Sequence, residues 1–192
     1  MVPARSGSKG IKNKNLRLIN GKPLIKYTLD FINKLNFIDF KVVSSDSDKI
    51  LNLAFKNNFV GIKRSKALSA DRVSDYKVIK SIIDNKNIKK KNFDYLIYLQ
   101  PTSPIRRKKE LISALEKIVK KNFDAAWSIS QIDKKNHPLK VMMINKEKLN
   151  LYSSQGKKII ARQQLKDIYI RNGVFYIFSI NKLNKFRSIY LK

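Results

Sequence analysis

Short apolar segments alternate with amphipathic helical segments along most of this chain, and this alternation limits its fold more than any other feature. Apolar, β-branched segments typical of strands lie at 38–45, 60–63, 94–100, 124–130 and 172–178. Apolar residues recur at helical spacing over 23–35, 50–55, 75–85 and 111–119, with a last helical turn near 180–183. The nearly continuous apolar content of 94–100 favours a parallel strand buried on both faces. The sequence therefore predicts an α/β fold with a doubly wound, mostly parallel sheet.

The alternation stops between 131 and 170, where a polar turn, a short strand near KVMMI and a Lys-, Ser- and Gln-rich stretch replace it. We interpret 131–170 as an arm inserted into a single domain whose core is 1–130 and 171–192. Only Met1–Pro3 precede the first loop, so we expect this domain to lack part of its first strand.

Composition narrows the class of protein. With 43% hydrophobic residues among 192, the chain is long enough to bury one core. It has no cysteine, hence no disulfide and no thiolate metal ligand, which is compatible with a reducing cytoplasm. No apolar run approaches the ~20 residues that span a bilayer, and no signal peptide is visible. We therefore expect a soluble, cytoplasmic protein with no membrane partner.

The formal charge of +28 raises the alternative of a nucleic-acid-binding protein. Its basic runs, such as 86–91 and 106–109, are scattered between predicted elements, as solvated lysines usually are. The charge distribution therefore favours small anionic ligands, and we predict no nucleic-acid partner.

The segment PARSGSKGIKNKN, residues 3–15, is the richest candidate for chemistry. Gly7 and Gly10 permit close backbone approach to a ligand. The cations that it offers to a polyphosphate are Arg5, Lys9 and Lys14. It is not the GxxxxGK[ST] loop of nucleotide hydrolases, because the spacing differs. The alternative interpretation is a flexible basic terminus.

Two further segments carry polar groups beside predicted strands. LQPTSPIR, residues 99–106, follows a central strand, and ligands of open α/β sheets bind at that end. Its polar side chains are Gln100, Thr102 and Ser103. RQQLKDIYIRNGVFYI, residues 162–177, places Arg162 and Gln163 before a buried strand, and arginine suits a carboxylate ligand.

These blocks, in this order, resemble the acylneuraminate cytidylyltransferase family, also called CMP-sialic acid synthetases. The family pattern reads PARxGSKG…KN, RPxxLxxD, LQPTSPxR, HPLK, RQ…NGxxYI, and the resemblance covers nearly the entire chain. It implies a Rossmann-like nucleotidyltransferase of the nucleotide-diphospho-sugar transferase type, with an inserted dimerisation arm and a homodimer. The implied enzyme couples CTP to a nine-carbon acidic sugar, giving the CMP-sugar and pyrophosphate.

The resemblance also implies roles for individual residues. The residues matched to CTP binding are Arg5, Ser8, Lys14, Asn15, Arg64 and Gln100. Those matched to catalysis are Arg5, Lys14 and Gln100. Those matched to the acidic sugar are Gln100, Thr102, Ser103, Lys140, Arg162, Gln163 and Tyr176. Ser65 stands where the family usually has proline after the arginine. His137, in HPLK, is expected to organise a turn rather than to act as a base.

The resemblance implies Mg²⁺ as a cofactor. The family's metal-holding aspartates lie in a DxD-like segment beyond the NGxxYI strand, and none is identifiable before Lys192. We therefore expect the ligands beyond residue 192, with Asp46 and Asp71 as candidate helpers or simple helix caps.

Two alternatives stay open at the level of sequence. One is the same reaction on the eight-carbon acid 3-deoxy-manno-octulosonate, and the other is a truncated, catalytically inactive homologue that binds nucleotide. The sequence does not choose among N-acylneuraminate, legionaminate and pseudaminate as acceptor.

Overall fold

The structure, a computed structural model, describes residues 1–7 and 10–191. It divides into two compact units. The first unit comprises Met1–Ser128 and Gly173–Lys192, and the second comprises Ile129–Asn172. The bounds of the second unit lie close to those of the predicted insertion, 131–170. Whether this unit serves as a dimerisation arm stays a prediction.

The elements follow the predicted alternation. The strands are β1 (Val2–Pro3), β2 (Leu18–Ile19), β3 (Lys22–Pro23), β4 (Val42–Ser45), β5 (Val60–Lys63), β6 (Tyr95–Tyr98), β7 (Ala125–Gln131), β8 (Met142–Asn145), β9 (Lys148–Leu151) and β10 (Tyr169–Ser179). The helices are α1 (Leu24–Asn33), α2 (Asp48–Phe55), α3 (Asp75–Ile83), α4 (Lys86–Lys89), α5 (Lys108–Lys120) and α6 (Ile180–Phe186). In the described ranges, no helix is both long enough and apolar enough to cross a bilayer.

The main strands form two three-stranded sheets, in the orders β1-β4-β5 and β6-β10-β7. β4 is parallel to both β1 and β5. Met1 N donates to Ile97 O at 2.7 Å and Leu99 N donates to Met1 O at 3.0 Å, which is the pattern of a parallel pair. β10 is the exception, since it runs antiparallel to β6. The carboxyl ends of β1, β4 and β6 therefore lie at one edge.

Helices cover both faces of these sheets in the first unit. Along β10, Phe175 and Ile177 belong to a buried cluster that includes residues of α1, α2 and α5. The intervening Tyr176 and Phe178 belong to a second cluster with residues of α3 and α6. Because successive strand residues point to opposite faces, this division confirms the predicted doubly wound α/β architecture.

Element bounds differ from the sequence prediction where local partners decide them. The predicted strand 38–45 is ordered as a strand only over Val42–Ser45, the segment that pairs with both β1 and β5. The lysine run 86–91, predicted to lie between elements, contains α4, where the Asn85 side chain accepts from Asn87 N and Ile88 is buried. Its lysines are exposed, as predicted.

The second unit contains a hairpin in place of sheet-and-helix alternation. β8 and β9 pair antiparallel, with Met142 opposite Leu151. Lys146 and Glu147 form the turn at positive φ, 48° and 63°, as the tight two-residue hairpin turn requires. The strand predicted near KVMMI is thus confirmed as β8.

Candidate active site

The first loop is held against the end of β4 by hydrogen bonds. Ser6 donates to Asp46 twice, from its backbone N at 2.7 Å and from its Oγ at 2.6 Å. Burial alone would raise the pKa of Asp46, but the hydrogen bonds from Ser6 and the nearby Arg64 guanidinium lower it below its usual value. Asn15 Nδ2 closes the loop by donating to Arg5 O at 2.9 Å. Asp46 is therefore an anchor of the loop and not a helix cap, since Ser47 takes that place in α2.

A cavity of about 490 Å³ opens where this loop meets the carboxyl ends of β1 and β6. Three stretches of chain line it: the first loop, the segment from the end of β5 into α3, and the turn after β6. The lining residues are Pro3, Arg5, Gly10, Lys14, Asn15, Arg64, Leu68, Ala70, Asp71, Val73, Asp75, Val78, Tyr98, Gln100, Pro101 and Thr102. Its position matches the edge where open α/β sheets bind ligands.

Arg5 connects the first loop to the facing segment across this cavity. Its Nη1 donates to Ser69 O at 3.2 Å and to Asp71 Oδ1 at 2.8 Å. Asp71 is therefore an ion-pair partner of Arg5, and this pair is partly exposed to solvent. An anionic ligand that enters the cavity meets a cation already oriented by a carboxylate.

Arg64 is the buried cation of the site. Its Nη2 donates to Ser44 O at 2.7 Å and its Nε donates to Ser44 Oγ at 3.2 Å. Burial lowers the pKa of Arg64, although the guanidinium stays charged because that pKa starts far above neutrality. Arg64 thus places fixed positive charge on the cavity wall.

The cavity floor is a hydrogen-bonded pair between β6 and α3. Tyr98 Oη donates to Asp75 Oδ1 at 2.7 Å. Burial, followed by the charge of Asp75, raises the pKa of Tyr98, so the phenol stays protonated and keeps donating at neutral pH. Sequence reasoning missed this pair, because Tyr98 looked like strand core and Asp75 like the first turn of a helix.

A family model described as cytidylyltransferase matches residues 1–192. This chain belongs to the cytidylyltransferase family. It is 30% identical over 203 residues to CMP-N,N'-diacetyllegionaminic acid synthase of Legionella pneumophila, covering 99% of this chain and 81% of that protein. It is 29% identical over 181 residues to pseudaminic acid cytidylyltransferase of Campylobacter jejuni, covering 92% of this chain and 75% of that protein.

The chain is also similar to a longer protein and to a solved structure. N-acylneuraminate cytidylyltransferase of Streptococcus agalactiae is 29% identical over 179 residues, which are 92% of this chain but 42% of that relative. This cytidylyltransferase chain therefore spans less than half of the length of that relative. The structure of CMP:2-keto-3-deoxy-manno-octonic acid synthetase complexed with CTP aligns with a TM-score of 0.71 at 18% identity, covering 97% of this chain and 75% of that one. This likeness confirms the predicted nucleotidyltransferase fold.

The structure brings together part of the residue set that the family resemblance implies. The predicted residues on the cavity wall are Arg5, Lys14, Asn15, Arg64, Gln100 and Thr102. Ser8 and Lys9 lie outside the described residues. Ser103 forms part of the turn after β6, where its N donates to Gln100 O at 3.2 Å.

The remaining predicted sugar residues are Tyr176 in the first unit and three residues of the second unit. Tyr176 is buried in the core, where its ring centroid lies 5.3 Å from that of Trp127 and 6.1 Å from that of Tyr98. Lys140, Arg162 and Gln163 are exposed residues of the second unit. Their roles in sugar binding stay predictions.

Two residues of the second unit have local partners. Arg162 Nη2 lies 3.6 Å from Asp133 Oδ1. The Nδ1 of His137 accepts from Leu139 N at 3.2 Å, a contact that closes the HPLK turn.

The carboxylates of this family member do not make a magnesium site within residues 1–7 and 10–191. No group of three or more His, Asp or Glu side chains comes together there. Two carboxylates line the cavity, and Asp71 is engaged by Arg5 while Asp75 is engaged by Tyr98. A hard cation needs a fuller set of oxygen ligands than this pair supplies.

A larger cavity, of about 930 Å³, lies at the amino ends of β4 and β6. Apolar side chains such as Ile82, Phe93 and Leu96 dominate its lining. Ligands of this fold bind at the opposite edge, and the predicted site residues Arg5, Lys14 and Gln100 line the smaller cavity. We therefore assign the smaller cavity as the site.

Proposed function

We propose that this chain binds CTP in the 490 Å³ cavity and transfers its CMP group to a nine-carbon acidic sugar, releasing pyrophosphate. The observation that carries the proposal is the convergence of Arg5, Lys14 and Arg64 on one cavity at the ligand-binding edge of the sheet. The names of the relatives supply the nucleotide and the class of acceptor.

The reaction needs positioning and charge neutralisation more than covalent chemistry by the protein. The anomeric hydroxyl oxygen of the sugar attacks the α-phosphorus of CTP. The bond between that phosphorus and the oxygen bridging to the β-phosphate breaks, and pyrophosphate leaves with the bonding electrons. The hydroxyl proton passes to solvent.

The cavity cations are placed to offset the charge of the transferring group. Arg5 and Lys14 come from the glycine-containing loop, which brings backbone N–H groups close to phosphate oxygens. Arg5 exchanges its Asp71 partner for a phosphate oxygen, a swap of one anion for another that leaves the guanidinium paired. Gln100, at the end of β6, contacts the junction between nucleotide and sugar.

The sugar carboxylate is assigned to Lys140, Arg162 and Gln163, because arginine binds carboxylates through two parallel hydrogen bonds. This assignment, the requirement for Mg²⁺, the homodimer and the cytoplasmic location follow from the family resemblance. Alanine variants of these residues test the sugar contacts, and turnover with and without EDTA tests the need for Mg²⁺. Light scattering tests the homodimer, and cell fractionation tests the location.

The acceptor is a nonulosonic acid in this proposal, because the relatives with similar sequences carry the names of acylneuraminic, pseudaminic and legionaminic acid enzymes. The eight-carbon alternative rests on a structure at 18% identity, and that likeness shows the shared fold alone.

Pyrophosphate release from CTP and Mg²⁺, with a panel of nonulosonic acids and 3-deoxy-manno-octulosonate, tests the proposal. Turnover is expected with one or more nine-carbon acids, and Lys14→Ala should reduce it at least about tenfold, since it removes a phosphate-binding cation. Lys49→Ala, an exposed charge-matched change on α2, should leave the rate unchanged. Turnover with the eight-carbon acid alone, or CTP binding without any turnover, would overturn the proposed reaction.

A further inference from the structure

Arg106 ties three parts of the first unit together from within the segment LQPTSPIR. Its Nε donates to Val174 O at 2.8 Å and its Nη1 donates to Thr28 Oγ1 at 2.9 Å. Its Nη2 donates to Gln100 O. Phe31 of α1 lies under the guanidinium, 5.9 Å from its carbon to the ring centroid. One side chain thus links β10, α1 and the turn after β6.

The neighbouring arginine has none of these properties. The side chain of Arg107 is 83% exposed, and its ion pair with Glu110 spans 3.5 Å. Arg106, by contrast, is desolvated enough that burial lowers its pKa to about 10. The two adjacent arginines therefore differ in environment: Arg106 is half-buried and makes structural contacts, whereas Arg107 is solvated. Arg107 is thus a matched control for Arg106.

The side chain of Gln100 lies against the backbone of Gly173. Gly173 in β10 has φ +74°, a conformation that favours glycine. A Cβ at Gly173 would lie 2.8 Å from Gln100 Oε1 and 3.4 Å from Ser103 Oγ. The absence of a side chain at Gly173 thus leaves room for the side-chain amide of Gln100. The backbone carbonyl of the same residue accepts the hydrogen bond from Arg106.

Gln100 is the residue through which these contacts reach the site. It lines the nucleotide cavity together with Pro101 and Thr102. It also hydrogen-bonds the phenol of Tyr98, which forms the cavity floor. A shift of the turn after β6 therefore changes the wall and the floor together.

We propose that Arg106 is a positioning residue that acts through Gln100, and that Gly173 completes the same device by leaving room for the Gln100 amide. The requirement is for arginine specifically, because its planar fork supplies donors in several directions at once. A lysine ammonium at the same place cannot reach Val174 O, Thr28 Oγ1 and Gln100 O together. The effect on ligand affinity rests on the proposed function, whereas the effect on the Gln100 amide does not.

The affinity for CTP, measured by calorimetry, gives the first test. Arg106→Lys is expected to weaken CTP binding about tenfold, the equivalent of one lost charge-assisted contact, and Gly173→Ala is expected to weaken it by a similar factor. Arg107→Lys should change it by less than about twofold. Ile118→Val, in α5, controls for stability, because it destabilises the core without approaching the cavity.

A double-mutant cycle tells positioning from general structural damage. If Arg106 acts through Gln100, Arg106→Lys should cost less than about twofold in a Gln100→Ala background, because coupled residues are not additive. An equal loss in both backgrounds, or a loss matched by Ile118→Val at the same melting temperature, would contradict the proposal.

A ligand-free readout separates this proposal from the proposed function. The side-chain amide signal of Gln100 in ¹⁵N spectra, assigned by its disappearance in Gln100→Ala, should shift in Arg106→Lys and stay in place in Arg107→Lys. An unchanged signal overturns the positioning role, whether or not CTP binds. A shifted signal in a protein that does not bind CTP supports the positioning role and contradicts only the proposed function.

Discussion

At the scale of single residues, side chains from distant parts of the chain hold the loops around the cavity. Asp46 anchors the first loop through Ser6, and Arg5 reaches Asp71 across 66 positions of sequence. Sequence patterns show which residues are charged but not which charges meet, since these partners are brought together only by the sheet. The residue types of the site were therefore predictable, whereas its ion pairs and the Tyr98–Asp75 contact were not.

Asp46→Asn should lower the free energy of unfolding at pH 7 by about 1 kcal/mol, because the single oxygen of the amide accepts only one of the two Ser6 hydrogen bonds and carries no charge. The folded-state pKa of Asp46 lies below its unfolded value of about 3.9. Its stabilisation is therefore present above that unfolded value and disappears as the pH falls through the lower folded value. Urea unfolding should show the variant and the parent converging in stability on acidification. A constant difference down to pH 3 would contradict the role of the carboxylate.

Asp71→Asn should strengthen CTP binding in the absence of Mg²⁺, because it removes the carboxylate that competes with phosphate for Arg5. The ion pair is partly exposed, so its net value is at most about 1 kcal/mol, which limits the gain to roughly fivefold. Calorimetry at low salt measures this gain, and weaker binding would indicate that Asp71 assists the ligand instead.

At the scale of elements, hydrophobic periodicity predicted most of the fold. The apolar stripe of 111–119 became α5, and the segment 60–63 became β5 with the predicted bounds. The strand 38–45 was shortened because only part of it has partners on both sides. β10 extends from Tyr169 to Ser179, beyond the predicted 172–178, and its additional first residues precede Gly173, whose positive φ no apolar pattern reveals.

Two adjacent residues of α5 test this packing. Ile118 is fully buried, whereas Val119 is 54% exposed. Ile118→Ala should lower the free energy of unfolding by about 2–5 kcal/mol through lost burial and a residual cavity. Val119→Ala should cost under about 1 kcal/mol, because most of its surface stays in water. Similar losses in the two variants, measured by urea unfolding, would mean that the helix packs through another face.

At the scale of the whole molecule, the charge of +28 acts on ligands through long-range attraction. Screening shortens the reach of this attraction to about 8 Å at physiological ionic strength. Raising salt from 20 to 300 mM should therefore slow CTP association in stopped-flow measurements while changing its dissociation rate less. A salt-independent association rate would show that the scattered lysines contribute no steering.

The central claim is that CTP occupies the cavity formed by the first loop, the segment into α3 and the turn after β6. Hydrogen–deuterium exchange with and without CTP tests it most directly. We expect protection in residues 10–17, 64–75 and 98–102, and no change in α5. Protection around the larger apolar cavity at Ile82 and Leu96, or none at all at saturating CTP, would contradict the assignment.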